Sequence, residues 1–150
     1  MSQFNFNIAK TKGRRRRKKQ LALLSTNKNG KAVYPYGINP IGHTVNIKPL
    51  STNRAWQGRR FKTPEYHKFQ SAMIMALPNF LLPPPPYKIT YEFGFSNKLS
   101  DFDNGIKQTT DVLCKRYGFD DRDIYEAVIR KKIVDKGKEY ISFVIETLVD

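Results

Sequence analysis

Acidic residues are missing from the first 64 positions of this chain: the first is Glu65, while residues 1–42 hold ten Lys or Arg. The 150 residues carry 27 basic and 13 acidic side chains, a formal charge of +14, so residues 43–150 keep a surplus of only +4. An excess of that size points to a polyanionic partner, nucleic acid before an anionic membrane. Cysteine is nearly absent. The one present, Cys114, excludes an internal disulfide and a Cys-rich zinc site, and suits a reducing compartment. Long apolar runs are absent as well; residues 72–77 and 80–82 fall far short of a membrane span. Only Leu21, Ala22, Leu23 and Leu24 follow the basic run, too few for a signal-peptide core. The expectation is a non-secreted, cytoplasmic protein without a membrane partner, of one domain plus a tail.

Residues 1–42 read as a polar, basic tail or arm, and 43–150 as the folded domain. Six consecutive cations in the tail, Arg14, Arg15, Arg16, Arg17, Lys18 and Lys19, are candidates for phosphate contact; a solvated tail is the bland alternative. Alternation predicts a strand over 43–50, then a polar loop over 51–62 that carries Arg54, Trp56, Arg59, Arg60 and Lys62. Thr63 followed by Pro64 reads as a cap and first turn, and Tyr66, Phe69, Met73 and Leu77 recur at helical spacing, giving a helix over 64–77. Four prolines, 83–86, make a rigid connector, and Tyr87, Ile89, Tyr91, Phe93 and Phe95 alternate as a half-buried strand. A second helix is expected to open at Asp103 and stop at Gly118, with Ile106, Thr110, Leu113 and Tyr117 facing inward. Strands over 124–134 and 139–148, joined by a hairpin turn at 135–138, complete the order β-α-β-α-β-β. The expected fold is α/β (α+β): a mixed four-stranded sheet with two helices on one face.

The chemistry is concentrated in Asp101, Asp103, Asn104, Lys107 and Asp111, and then in Asp120 and Asp121 after Gly118. A spacing of four puts Asp103, Lys107 and Asp111 on one helix face, and the turn after the helix is expected to bring the Asp120–Asp121 pair back toward them. Carboxylates around one ammonium suit phosphodiester hydrolysis. Oxygen ligands hold Mg²⁺, which activates water and neutralises the phosphate in the transition state, and a lysine orients water or balances charge. The competing reading makes Asp103 a helix N-cap, Asp101 a dipole partner and Asp120–Asp121 a plain turn.

The stretch Asp101-Phe102-Asp103-Asn104, then Lys107, Asp111, Leu113, Gly118, Asp120, Asp121 and Lys131, resembles the signature of the RusA family of Holliday-junction resolvases. That pattern reads Asp-x-Asp-Asn-x-x-Lys, an Asp four residues on, then Gly and an Asp-Asp pair. Lys48-Pro49-Leu50-Ser51-Thr52-Asn53-Arg54 is similar to the family's early Pro-x-Ser-x-Asn-Arg element. The resemblance covers residues 43–148. It implies a small homodimeric enzyme of phage or bacterial origin that nicks four-way DNA junctions with Mg²⁺ or Mn²⁺. Carried over by position, Asp101, Asp103 and Asp121 would be metal ligands, with Asp120 a further candidate, and Lys107 the catalytic lysine. Asn104 and Lys131 would join Arg54, Arg59, Arg60 and Lys62 among the DNA contacts. Gly105 departs from the pattern, which usually has an apolar residue there. A glycine inside a helix costs roughly 1 kcal/mol against alanine, so a looser first turn is expected. Cys114, His43 and His67 read as structural. The alternatives are a non-catalytic basic nucleic-acid-binding protein and a metal nuclease acting on flaps or other branched DNA.

Overall fold

The computed structural model describes residues 36–58 and 61–149. Arg14, Arg15, Arg16, Arg17, Lys18, Lys19, Arg59 and Arg60 lie outside the described residues. The elements run β1 (Ile41–Val45), α1 (Thr52–Ala55), β2 (Trp56–Gln57), β3 (Phe61–Lys62), α2 (Pro64–Ala76), β4 (Tyr87–Phe95), α3 (Ile106–Tyr117), a 3-10 turn (Asp121–Asp123), β5 (Ile124–Ile133) and β6 (Tyr140–Thr147). The fold is mixed α+β, and its four long strands and two long helices follow the expected order. The stretch 51–62 is more structured than a loop. Ser51 caps α1 by accepting from the Arg54 amide, and β2 pairs with β3 as a small antiparallel ribbon.

β4 is the pivot. Its alternating apolar residues Ile89, Tyr91 and Phe93 are buried, and the neighbouring strands present Ile145, Phe143 and Ile141 at the same levels on the same face. Both long helices cover that face. α2 contributes Phe69 and Met73, α3 contributes Val112 and Leu113, and all join one apolar core. Helix α2 matches its expected start, with the Thr63 hydroxyl accepting from the Tyr66 amide and Pro64 at the first turn. Along α3 the buried residues are Gln108, Thr109, Val112 and Leu113, and Ile106 and Tyr117 pack partly buried against the core, so the expected inner stripe of Ile106, Thr110, Leu113 and Tyr117 holds but is widened by Gln108, Thr109 and Val112. Thr110 sits half-buried, its hydroxyl meeting the Tyr91 hydroxyl at 2.7 Å and the Ile106 carbonyl at 2.8 Å.

The strand order in the large sheet is β1-β6-β4-β5. β4 runs parallel to β5 and antiparallel to β6, so α3 is the crossover that a parallel pair requires. The expected hairpin of the last two strands is therefore corrected: β5 and β6 flank β4 and do not pair with each other. The 135–138 turn passes across the end of β4 instead. It is held there by the Val134 amide on the Phe95 carbonyl (2.8 Å) and by Glu139, which accepts from the Ser96 hydroxyl at 2.8 Å. Short-range turn signals are the same for both connections; the buried face of β4 decides between them. β1 spans Ile41–Val45 rather than 43–50, because its partner β6 offers pairing only along Ile141 to Ile145.

The opposite sheet face is polar and cross-linked. Lys88 pairs with Glu126 at 3.4 Å, and Lys132 pairs with Glu92 at 3.7 Å. The Tyr140 ring lies over Gly94, where an added Cβ would come within 2.5 Å of it, and its hydroxyl donates to Glu92 at 2.6 Å. Phe93 is fully buried in the core, lying between Tyr91 and Phe95. Phe93→Ala is expected to cost about 3–5 kcal/mol. Urea unfolding should show this as a lower midpoint with an unchanged slope.

Candidate functional site

Residues 101–105 form successive turns between β4 and α3, in which the Asn104 amide bonds the Asp101 carbonyl and the Ile106 amide bonds the Asp103 carbonyl, each at 3.2 Å. The N-cap of α3 is Gly105, with no side-chain cap bond. Asp103 therefore does not open the helix, which corrects the expectation. Gly105 also stands outside the helix interior, so the looser first turn expected from a mid-helix glycine has no basis here, and glycine is tolerated at this position. What Gly105 provides is space: an added Cβ would lie 3.3 Å from the Phe93 ring and 3.4 Å from Pro49. Asp101 and Asp103 are exposed, and among the described residues neither carboxylate takes a hydrogen bond or ion pair.

The turn that carries them is stapled from three sides. Gln108 is fully buried, and its Nε2 donates to the Leu50 carbonyl at 2.8 Å and the Asn104 carbonyl at 3.1 Å. The Thr52 amide donates to the same Asn104 carbonyl at 3.2 Å. The Lys131 ammonium donates to the Lys98 carbonyl at 3.0 Å and to the Ser100 carbonyl. The segment from Pro49 to Thr52 thus acts as a bracket for the acidic turn, which gives its residues a structural purpose. Asn104 and Lys131 are engaged in the same bracket. Arg54 is exposed, and it lines an open cleft of about 600 Å³ together with Lys48, Lys68, Ser100 and Asn104.

A second group lies at the other end of α3. Trp56, Lys62, Tyr66, Asp111, Asp120 and Asp121 line a cleft of about 390 Å³. Lys62 rests 4.6 Å above the Tyr66 ring, and Lys107 rests 5.4 Å above Trp56. Burial pushes the Asp111 carboxyl above its ordinary range; Lys107 and Lys62 pull it back, and Asp121 adds to the rise. Asp120 caps the 3-10 turn: one oxygen accepts from the Arg122 amide at 3.1 Å, and the other meets the Arg122 guanidinium at 2.6 Å. Those bonds pull the Asp120 carboxyl down to about 2 and commit it locally. Burial, with the surrounding acids, pushes the Cys114 thiol up to about 12, so it is no nucleophile at neutral pH.

The structure therefore places the expected ligands in two half-sites. Asp101 and Asp103 precede α3, Asp120 and Asp121 follow it, and Lys107 lies on its first turn. Twelve helical residues separate the two groups, a length of about 18 Å at 1.5 Å per residue. Among the described residues no three His, Cys, Asp or Glu side chains gather to hold one ion. Compared with protein-family models and with curated proteins, the chain matches none. No described helix is long and apolar enough to cross a membrane. The residues that sequence reasoning missed are Gln108, which looked like an exposed helical position, and Trp56 as the platform for Lys107. Lys48 and Lys68, the cations of the larger cleft, were missed too, because they come from separate segments. Only the Pro49 and Ser51 pattern hinted at the bracket.

Two outcomes follow. Gln108→Leu leaves the Leu50 and Asn104 carbonyls without their buried donor and should cost about 1–3 kcal/mol, read as a lower thermal midpoint. Asp111 titrates higher in the folded chain than in the unfolded one, so its contribution to stability is present at low pH and is lost as pH rises through its folded value. Asp111→Asn should accordingly raise the melting temperature at pH 7, with an advantage that shrinks toward the ordinary carboxylate range.

Proposed function

We propose that this protein is a metal-dependent endonuclease of the RusA type that nicks branched DNA, four-way junctions first, as a homodimer. The observation that carries the reading is the state of Asp101 and Asp103. They stand on a turn held by Gln108, Thr52 and Lys131, yet their own carboxylates cap nothing and pair with nothing among the described residues. In a chain with a surplus of 14 positive charges, two free acids on a braced turn have no evident structural purpose. The likeness of the Asp101 to Asp121 spacing to the RusA signature supports the same chemistry.

The donor set fits Mg²⁺ or Mn²⁺ in part. Mg²⁺ keeps several waters and takes one or two carboxylates, which Asp101 and Asp103 can offer together; Asp121 is out of reach of that ion within one chain. When bound, the ion would supply an activated water and charge neutralisation on the phosphate. Around it, Lys48, Arg54 and Lys68 edge a groove for the sugar-phosphate backbone, contacts that position DNA without reading its sequence. Lys107 sits on the first turn of α3, but its ammonium lies over Trp56 and acts on Asp111, between the two acid groups, where it would balance charge on a bound phosphate. A non-catalytic basic protein would account for the tail and the groove. It gives no reason for exposed carboxylates beside that groove, where they repel phosphate.

Incubation of the full chain with labelled four-way junction, flap and plain duplex, with and without Mg²⁺, tests the reading. Junction cleavage that requires the metal is expected; binding without cleavage on every substrate makes it a binding protein. Asp101→Asn and Asp103→Asn should each abolish cleavage and leave junction affinity equal or tighter, since each removes a ligand and a repelling charge. A variant that cuts at the wild-type rate removes its residue from the ligand set.

A further inference from the structure

The larger cleft has a chemistry that backbone contacts alone leave unused. It lies between the segment 47–51, α2 and the end of β4, and encloses about 600 Å³. Its wall is apolar: Phe69 and Phe95 belong to the buried core, and Ile47 and Leu50 pack partly buried against the same core. Its rim is cationic. Lys48, Arg54 and Lys68 are exposed, and none of them forms an ion pair among the described residues.

Polar groups that can read a flat ring line one end of it. The Asn97 Oδ1 accepts from the Leu99 amide at 2.9 Å and the Asn104 Oδ1 accepts from the Thr52 amide at 3.4 Å, so each side chain keeps its Nδ2 as a spare donor. Glu65 adds a carboxylate that accepts no bond among the described residues. Glu139 is committed elsewhere, to the Ser96 hydroxyl and the Gly137 amide. Ser100 and Asn104 line the cleft and flank Asp101 and Asp103 in the chain, so the cleft borders the acidic turn.

A sugar-phosphate backbone needs only the rim. A paired base shows protein a narrow edge in a groove, while its faces are covered by its neighbours in the stack. An unpaired base also offers an apolar face, and single strands are held by cations together with surfaces that take such faces. The size fits one nucleotide, within the range of about 300 to 1,000 Å³ usual for small-ligand sites. Resting on the nuclease reading above, we infer that this cleft takes one unpaired nucleotide of the DNA, next to the phosphate to be cut. Its base lies against Leu50, Phe69 and Phe95, its phosphates meet the cationic rim, and its edge faces the carboxamides of Asn97 and Asn104. Drawing a base out of a stack costs free energy, and costs least where the base is already unpaired. The cleft therefore selects branch points that carry an unpaired nucleotide over continuous duplex, without any part for the acids.

Binding and cleavage are measured separately to test this. In EDTA, the full chain is mixed with junctions that carry 2-aminopurine, which brightens when unstacked, at successive positions through the branch. One position should brighten on binding. A junction with an unpaired nucleotide at that position should bind about tenfold tighter than the fully paired one, and an abasic residue there should remove the gain while keeping the phosphate. Ala72 is exposed on α2 and lines the cleft, so Ala72→Phe fills it from a position where the fold tolerates a larger side chain. With an unchanged melting temperature, that variant should lose the brightening and the preference together. No brightening at any position overturns the inference, as does an abasic junction bound as tightly as the intact one. Brightening that survives Ala72→Phe places the base elsewhere and overturns it too. A variant that weakens paired and unpaired junctions alike makes the cleft a backbone groove only. The nuclease reading stands or falls on cutting in Mg²⁺, which none of these binding measurements uses.

Discussion

Everything about the placement of Asp101 and Asp103 depends on one buried carboxamide, because the turn that carries them has no regular structure of its own. Gln108 reaches from the first turn of α3 to the carbonyls of Leu50 and Asn104, joining segments 58 and four residues away. Each such bond contributes about 1 kcal/mol net, but a lost donor leaves buried carbonyls unsatisfied and costs more. The bracket is also steric. Pro49 packs against Gly105 at a distance that leaves little room for a side chain. The turn before α3 is therefore tied to the segment around Pro49 to Thr52 as well as to the helix that follows it.

Several acids elsewhere in the described chain have structural work. Glu126 and Glu146 bracket Lys88, Glu92 receives Tyr140 and Lys132, Glu139 ties the 135–138 turn, and Asp120 caps its own 3-10 turn through Arg122. Exposed ion pairs of this kind are each worth little. Asp101 and Asp103, like Glu65, Asp121 and Asp123, take no hydrogen bond or ion pair among the described residues, and what sets the first two apart is the braced turn that carries them. Desolvation of Asp111 beside Lys62 and Lys107 shows the same economy in a different form, with two cations holding down a charge that burial disfavours.

Helix α3 is both the frame of the site and the barrier within it. It is needed to return the chain so that β5 can lie parallel to β4, and its length is set by the strands it spans. The acids at its two ends are therefore parted by the same geometry that makes the sheet. The parallel crossover also leaves β5 at the edge, with its apolar side only half covered.

Local pattern determined much of this protein. The alternation of Tyr87, Ile89, Tyr91, Phe93 and Phe95 named the central strand, Thr63 and Pro64 named the start of α2, and Gly118 the end of α3, because period and capping are properties of neighbouring residues. The site residues were legible as a set for the same reason, as a spacing of acids around Lys107. Tertiary structure alone decided the rest. It split β5 from β6 by inserting β4, since the buried face of β4 can be flanked on both sides and a four-residue turn is compatible with either neighbour. It moved the cap from Asp103 to Gly105 and buried Gln108, a polar residue outside the expected inner stripe. Above all it set Asp121 a helix length from Asp103. Spacing along a chain states which side chains share a helix face, and only the packing of that helix against the sheet states which of its ends they reach.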